Sequence, residues 1–352
     1  MKISTCIGLM SGSSMDGVDL VLVRFKDDEE KYDFEILDAE TIQYSKEWKY
    51  KLSNAFSSDP EQIAKLDLEY GKYLGTLIQK FSEKHHGAID FVASHGHTVF
   101  HKPEIGYTLQ IGNGETMAKT CKLKIINDFR TEDVSIGGQG APLVPIGDEL
   151  LFHDYGICLN IGGIANLSFN SQGKRIAYDI CIANQSLNYM ASKIGFSFDK
   201  DGEISRSGKT IIEDLMRLNQ HDYYKITGPK SLGREFFEQV QKPLIEASQN
   251  KIEDLLCTFT EHIAQQIANT TENIEQTKML ITGGGAYNQY LLERIKHHTK
   301  HNVVVPQKNI IDYKEALIFA FLGLLKLENR TNVLASVTGA PRDSSSGKIW
   351  MP

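Results

Sequence analysis

The chain has 352 residues, 41% hydrophobic and 24% charged, a balance expected of an ordinary globular protein with two domains rather than one small core. Its net charge of -7 argues against a nucleic-acid backbone as partner. No apolar run reaches membrane-spanning length and the N-terminal apolar stretch is too short for a secretory signal, so the sequence predicts no membrane partner and a cytoplasmic location.

In chain order, Lys2 to Ile7 and Val18 to Phe25 read as strands flanking the loop Gly8-Leu9-Met10-Ser11-Gly12-Ser13-Ser14-Met15-Asp16-Gly17. Glycines let backbone N–H groups turn toward a ligand and serines add hydroxyl donors, which suits a phosphate-binding nest; an ordinary hairpin is the alternative. After the solvated charge run Lys26 to Glu30, Phe34 to Thr41 reads as a third strand. Apolar residues at helical spacing predict an amphipathic helix over Glu61 to His85. The strand Ile89 to Ser94 then stops at His95-Gly96-His97-Thr98. Ligands of open α/β sheets sit beyond strand carboxyl ends, so this cluster is a candidate site, with solvated loop histidines as the bland reading. A metal on His95, His97 and His101 is disfavoured, because no acidic or cysteine partner stands at ligand spacing.

Leu123 to Ile126 reads as a strand leading to Asn127-Asp128-Phe129-Arg130. Arg130 suits a bidentate grip on a carboxylate or phosphate; a structural ion pair with Asp128 or Asp133 is the alternative. The turn-rich loop Ile136 to Pro142 places a boundary between halves, and the second half opens as the first does. Ile157 to Ile161 is a strand, Gly162-Gly163 a turn, and Ile164 to Phe169 the returning strand, which suggests a duplicated plan. The expected division is 1–135 and 136–330, with 331–352 packing back on the first domain.

Arg175 to Ile182 supplies another strand with Asp179 inside it. A carboxylate among apolar neighbours is costly to bury unless paired or used in chemistry, so Asp179 is the candidate general base; capping a helix that starts near Asn184 is its structural alternative. Phe198 to Glu203 lacks the ligand series of a calcium loop and reads as a polar turn. Helices are predicted over Lys209 to Asn219, Arg234 to Ser248 and Ile252 to Asn273. Next come the strand Met279 to Ile281, a Gly283-Gly284-Gly285 turn and a helix from Ala286. Such a turn lets a ring or ribose approach the backbone at a helix N-terminus. Glu315 begins an apolar helix over Lys314 to Lys326, and Lys348 to Trp350 is a short edge strand. The five cysteines are scattered without C-x-x-C spacing and read as buried thiols.

Three glycine turns in this order resemble the phosphate-1, phosphate-2 and adenosine motifs of the sugar kinase/actin/heat-shock ATPase superfamily. Six strings narrow the resemblance. They are the loop from Gly8 to Gly17, Ser94 to Thr98, Asn127 to Arg130, Gly137 to Pro145, Asn160 to Asn166, and Ser336 to Ala340. Together they resemble the anhydro-N-acetylmuramic acid kinase family along nearly the whole chain. The resemblance implies an α/β fold of duplicated actin-like (ribonuclease H-like) domains with a central nucleotide cleft. It implies an ATP- and Mg²⁺-dependent, cytoplasmic phosphotransferase that converts 1,6-anhydro-N-acetylmuramic acid and water to N-acetylmuramic acid 6-phosphate in cell-wall recycling, acting as a homodimer on a small amino sugar. Asp179 is then the base that activates water. Gly12, Ser13, Ser14, Met15, Asp16, Gly17, Val18, Asp19, Gly162, Gly163, Gly283, Gly284 and Gly285 face the nucleotide. His95, Thr98, Arg130 and Glu315 face the sugar, Arg130 meeting the lactyl carboxylate, and Asp16 and Asp19 orient metal-bound waters. The chain departs from the family pattern twice: His97 replaces the glutamine of His-Gly-Gln-Thr, and Asp179-Ile180-Cys181-Ile182-Ala183-Asn184 replaces Asp-Thr-Gly-Pro-Gly-Asn. An actin- or chaperone-like ATPase that binds polypeptide and a catalytically weak sensing homologue are the rival readings.

Overall fold

The computed structural model describes residues 2–12, 15–28 and 31–352. Ser13 and Ser14 of the first glycine loop, and Glu29 and Glu30 of the charge run, lie outside the described residues. The chain divides into two compact units, Met1–Leu151 with Tyr313–Pro352, and Phe152–Asp312. Residues 136–151 and 313–330 therefore belong with the first unit, where the sequence reading gave them to the second half. The loop from 136 to 142 is hydrogen-bonded to elements of the first unit, and the Lys308–Leu327 helix packs its C-terminal part on the first sheet.

In the first unit β1 (Lys2–Met10), β2 (Gly17–Asp27) and β3 (Tyr32–Gln43) form an antiparallel meander. Strand β4 (Phe91–Ser94) then pairs parallel to β1. A separate hairpin follows, β5 (His97–Lys102) with β6 (Tyr107–Ile111), before β7 (Ile125–Asn127) pairs parallel to β4. In the second unit β8 (Ile157–Ile161), β9 (Ile164–Ser171) and β10 (Lys174–Ile182) repeat the meander. Strand β11 (Lys278–Thr282) pairs parallel to β8, and β12 (Asn302–Val304) parallel to β11. Counted within its own sheet, each main sheet runs 3-2-1-4-5, and β13 (Lys348–Trp350) adds an antiparallel edge to β7 in the first. This shared order is the duplication that the repeated hairpins predict.

Both faces of the first sheet are covered, which is why β1 and β2 read as nearly continuous apolar runs. Ile7, Leu9, Leu20 and Leu22 meet Leu74, Ile78 and Phe81 of the Pro60–Ser82 helix in one core cluster. That helix starts with a capping box, in which Asp59 accepts from Gln62 N–H and the Gln62 side chain accepts from Asp59 N–H. On the opposite face a Cβ at Gly8 would lie 1.9 Å from the Ala316 carbonyl oxygen, so glycine lets β1 touch the Lys308–Leu327 helix directly. The second core gathers Leu159, Ile161, Leu167, Ile180 and Ile182 around Leu256, Phe259, Ile263 and Ile267 of the Ile252–Thr271 helix.

Some predicted elements differ in detail. The helix predicted over Arg234 to Ser248 is broken into Arg234–Phe236, a widened turn at Phe237–Gln241, and Lys242–Ala247. Pro243 lacks the N–H that would continue an even helix, and the turn widens just before it. The glycine turn at 283–285 leads into one tight turn, Gly284–Tyr287, before the helix Gln289–His298. All five cysteines are buried and unbonded to one another. Among the described residues no helix is long and apolar enough to cross a membrane.

Candidate active site

In the first unit the end of β4 is tied to the glycine loop. His95 donates its backbone N–H to the Leu9 carbonyl at 3.0 Å, and Gly96 turns the chain with φ of +71°, where a Cβ would lie 2.4 Å from the Ile111 carbonyl oxygen. Both histidines of the turn are buried. His95 Nδ1 sits 3.0 Å from the Gly96 carbonyl, which fixes the proton there and leaves Nε2 as an acceptor. Arg130 fills that role, donating from Nε at 3.1 Å and Nη2 at 3.0 Å, while its Nη1 donates to the Gly140 carbonyl at 2.6 Å. Burial, then the Arg130 charge, hold the His95 pKa well below the usual histidine range, so the ring is neutral at pH 7.

Arg130 pairs with neither aspartate that the sequence offered. Asp128 is bonded to Lys348 at 2.8 Å, and Asp133 holds Gly140 N–H and the Thr338 hydroxyl. Burial pushes the Arg130 pKa down to about 10, and Glu315 opposes that shift, so the guanidinium stays charged at pH 7. Glu315 keeps solvent access, yet the protein around it raises its carboxyl pKa; Asp19 adds to the rise, while Arg130 and Lys314 oppose it. Arg130, Glu315 and Asp19 are thus electrostatically coupled within one unit. Thr98 accepts from Gln110 Nε2 at 3.4 Å.

His97 has a separate role. Its Nδ1 lies 3.1 Å from Ser11 Oγ, Ser11 is 2.7 Å from the Tyr44 hydroxyl, and Tyr44 is 2.5 Å from the Tyr70 hydroxyl. This buried chain fastens the first glycine loop to the hairpin and to the Pro60–Ser82 helix. His101 Nδ1 is bonded to Thr108, so the three histidines have three different partners. In the loop itself Met15 takes φ of +53° and packs on the core, and the Asp16 carbonyl accepts from Tyr44 N–H while its side chain is exposed. A Cβ at Gly17 would lie 2.5 Å from the Ile42 carbonyl oxygen, and the Val18 side chain is fully buried. Asp19 accepts from the Thr41 hydroxyl at 2.6 Å.

In the second unit the pairing registers put Thr282, Asn160, Asn166 and Asp179 in one row across β11, β8, β9 and β10. Directly paired residues share a face, so three amide and carboxyl side chains line up beside the Gly162-Gly163 turn. That turn is closed by Ala183 N–H to the Gly163 carbonyl at 2.8 Å and Asn184 N–H to the Gly162 carbonyl at 3.1 Å. Asn184 Nδ2 donates to the Ile161 carbonyl at 3.0 Å.

The glycines here fall into two kinds. A Cβ at Gly283, which has φ of +80°, would lie 2.6 Å from Asn160 Oδ1, and one at Gly285 would lie 2.3 Å from Ile161 Cγ2. Packing alone requires both. At Gly162, Gly163 and Gly284 the nearest atoms are 3.6, 3.8 and 3.5 Å away, so packing leaves room for a side chain. Gly163 and Gly284 are also exposed, which leaves bare backbone open to a ligand.

Asp179 is half-buried and does not cap the Asn184–Ser192 helix. Its Oδ2 accepts from Leu232 N–H at 2.8 Å, its N–H donates to the Lys230 carbonyl at 3.0 Å, and its carbonyl accepts from the Tyr223 hydroxyl at 2.7 Å. Burial raises its carboxyl pKa and the Leu232 hydrogen bond partly offsets that. The sequence names Asp179 as a candidate but not the segment that holds it, which approaches from about fifty residues away.

Two 3-2-1-4-5 sheets, each opened by a hairpin with a glycine turn, define a duplicated ribonuclease H-like protein of the actin-like class. The comparisons with known proteins narrow this class. Residues 4–352 match the family described as anhydro-N-acetylmuramic acid kinase, and the chain belongs to that family. Curated relatives with that name include one from Sulfurimonas denitrificans, 32% identical across 98% of both chains, and one from Vibrio cholerae, 34% identical across 98% of both.

Proposed function

We propose that the chain phosphorylates 1,6-anhydro-N-acetylmuramic acid with ATP, opening the anhydro ring with water to give N-acetylmuramic acid 6-phosphate and ADP. The observation that carries this reading is the end-to-end family match, residues 4–352. It does not favour a polypeptide-binding ATPase. The reading carries with it a small amino-sugar partner and a cytoplasmic location; a homodimer rests on the family resemblance.

In this scheme Asp179 takes a proton from water, and the water oxygen bonds to the anomeric carbon as that carbon's bond to O6 breaks. The released O6 attacks the γ-phosphorus, and the bond to the ADP oxygen breaks. The proton leaves Asp179 to solvent. Support comes from the anchoring of Asp179, because Leu232 N–H holds Oδ2 and leaves Oδ1 to accept the proton. The neutral His95 is an acceptor that aims Arg130, a cation with N–H groups to spare for the lactyl carboxylate. Glu315 and Thr98 complete the sugar side of the proposal.

The bare backbone at Gly162, Gly163 and Gly284 fits a nucleotide, since each leaves the space a Cβ would fill. Gly283 and Gly285 shape the turn that presents Gly284. Gly12, Met15, Gly17 and Val18 would contribute backbone groups, as the Val18 side chain is in the core. Mg²⁺, when bound, neutralises the charge that develops on the transferring phosphoryl group. Asp19 and the exposed Asp16 are the residues that would hold it through water, and two carboxylates are enough for an ion that keeps much of its hydration shell.

The direct test is incubation with the anhydro sugar and Mg-ATP, following ADP release and the mass of the sugar product. A sugar-independent ADP signal, or a product that keeps its anhydro ring, would refute the reading. A second measurement separates ligand from packing at Gly163. Gly163→Ala is expected to change stability by no more than about 0.5 kcal/mol. Its KM for ATP is expected to rise roughly ten-fold, because the new methyl occupies backbone surface needed by the ligand. An unchanged KM for ATP would remove Gly163 from the nucleotide site.

A further inference from the structure

We propose that Asp133 is a positioning residue that sets the Arg130 guanidinium through a single residue, Gly140. The inference rests on the proposed role of Arg130 as the partner of the sugar carboxylate.

Asp133 is fully buried and lies three residues after Arg130, in the Thr131–Ser135 helix that Arg130 opens. Two residues so spaced share one side of a helix turn, and here they hold opposite ends of the same residue. Asp133 Oδ2 accepts from Gly140 N–H at 2.7 Å, while the Gly140 carbonyl accepts from Arg130 Nη1 at 2.6 Å. The other carboxylate oxygen, Oδ1, accepts from the Thr338 hydroxyl at 2.8 Å, and the Thr338 carbonyl accepts from Gln139 N–H at 2.8 Å. The Asp133 carbonyl takes Gly138 N–H at 2.8 Å. One buried carboxylate therefore fixes the loop from 137 to 140 and the closing segment at 338 together.

Two glycines of that loop are fixed by their surroundings, one of them by this carboxylate. A Cβ at Gly138 would lie 2.2 Å from Asp133 Oδ2. Gly140 has φ of +66°, and a Cβ there would lie 2.6 Å from Val134 Cγ2. Gly138 is not free to change while Asp133 stays where it is, and Gly140 is held to glycine by Val134 and by its own φ.

The consequence appears at Arg130. A guanidinium has five N–H donors; Nε and Nη2 point to His95, and one Nη1 hydrogen points to the Gly140 carbonyl. One hydrogen each on Nη1 and Nη2 is left, a pair suited to the two oxygens of a carboxylate. His95 alone would let the plane swing about its single acceptor atom. The Gly140 carbonyl is the second point that fixes the plane, and Asp133 fixes Gly140.

Asp133→Asn puts an amide donor against either Gly140 N–H or the Thr338 hydroxyl, and Thr338→Val removes one donor while keeping the shape. Steady-state kinetics of both, with thermal melting recorded alongside, tests the proposal. For Asp133→Asn the KM for the anhydro sugar is expected to rise roughly ten-fold or more, with the KM for ATP changed less than about two-fold. Thr338→Val is expected to move the same constant in the same direction by roughly three-fold, and it decides the matter alone if Asp133→Asn fails to fold. A fall in melting temperature with both KM values unchanged, or equal rises in both, would overturn the proposal and leave Asp133 a purely structural knot. Absence of sugar turnover in the parent protein would instead refute the function reading on which it rests.

Discussion

Asp179→Asn is expected to lower kcat by roughly 10²–10⁴-fold while both KM values stay within about three-fold. The substitution is close to isosteric and the site is held by backbone. Lys230 and Tyr223 grip the main chain of residue 179, and the remaining side-chain carbonyl of asparagine still accepts from Leu232 N–H. What disappears is the oxygen that, in the proposed scheme, takes a proton from water. The pH profile supplies an independent check. Burial raises the Asp179 pKa, and a base works only when ionised, so kcat/KM should fall as pH drops through that raised value. The acid limb should therefore lie above the ordinary aspartate pKa of about 3.9. Residual turnover in Asp179→Asn should lose that limb. A variant with parental kcat, or one that keeps the same limb, would show that another group removes the proton.

The parts of this protein that a reader of the sequence could recover are those written in local patterns. Each meander is strand, glycine turn, strand, so the opening of both units and the row containing Asp179 follow from alternation and turn chemistry. The β5–β6 hairpin, by contrast, is half-exposed and its register breaks between Thr98 and Phe100, which hides it from pattern reading. The unit boundary also escapes, because the loop from 136 to 142 looks like a linker until Asp133 and Thr338 are seen to hold it. Those two residues are 205 positions apart, beyond the reach of any periodicity.

The triple glycine shows the same limit at one site. Written as letters, Gly283, Gly284 and Gly285 are equivalent; in the fold the outer two avoid Asn160 and Ile161, and only the middle one presents open backbone. His97 is another case. Its type marks it as a departure from the family string, but only the fold reveals the bond to Ser11 and the tyrosines behind it. Charge partners are equally illegible. Asp128 and Asp133 are both near Arg130 in sequence, and a neutral histidine and a carbonyl take their place.

That unusual environment makes Arg130→Lys the most informative change on the sugar side. Arg130 remains charged at pH 7 with its pKa pushed down to about 10, so lysine preserves the charge. It does not preserve the fork. An ammonium cannot donate to His95, to the Gly140 carbonyl and to two carboxylate oxygens in one plane, and it reaches them as a point charge. Loss of one charge-assisted hydrogen bond to the substrate costs about 1.5–3 kcal/mol, so the KM for the anhydro sugar should rise roughly 10- to 150-fold. Glu315 sharpens the effect. Its carboxylate is coupled to Arg130, and a less well placed cation offsets less of the repulsion between Glu315 and an incoming carboxylate. The KM for ATP should stay within about two-fold, since no nucleotide-facing glycine touches Arg130 in this assignment. A sugar KM unchanged in Arg130→Lys would mean that the guanidinium fork holds the protein's own loop and nothing else.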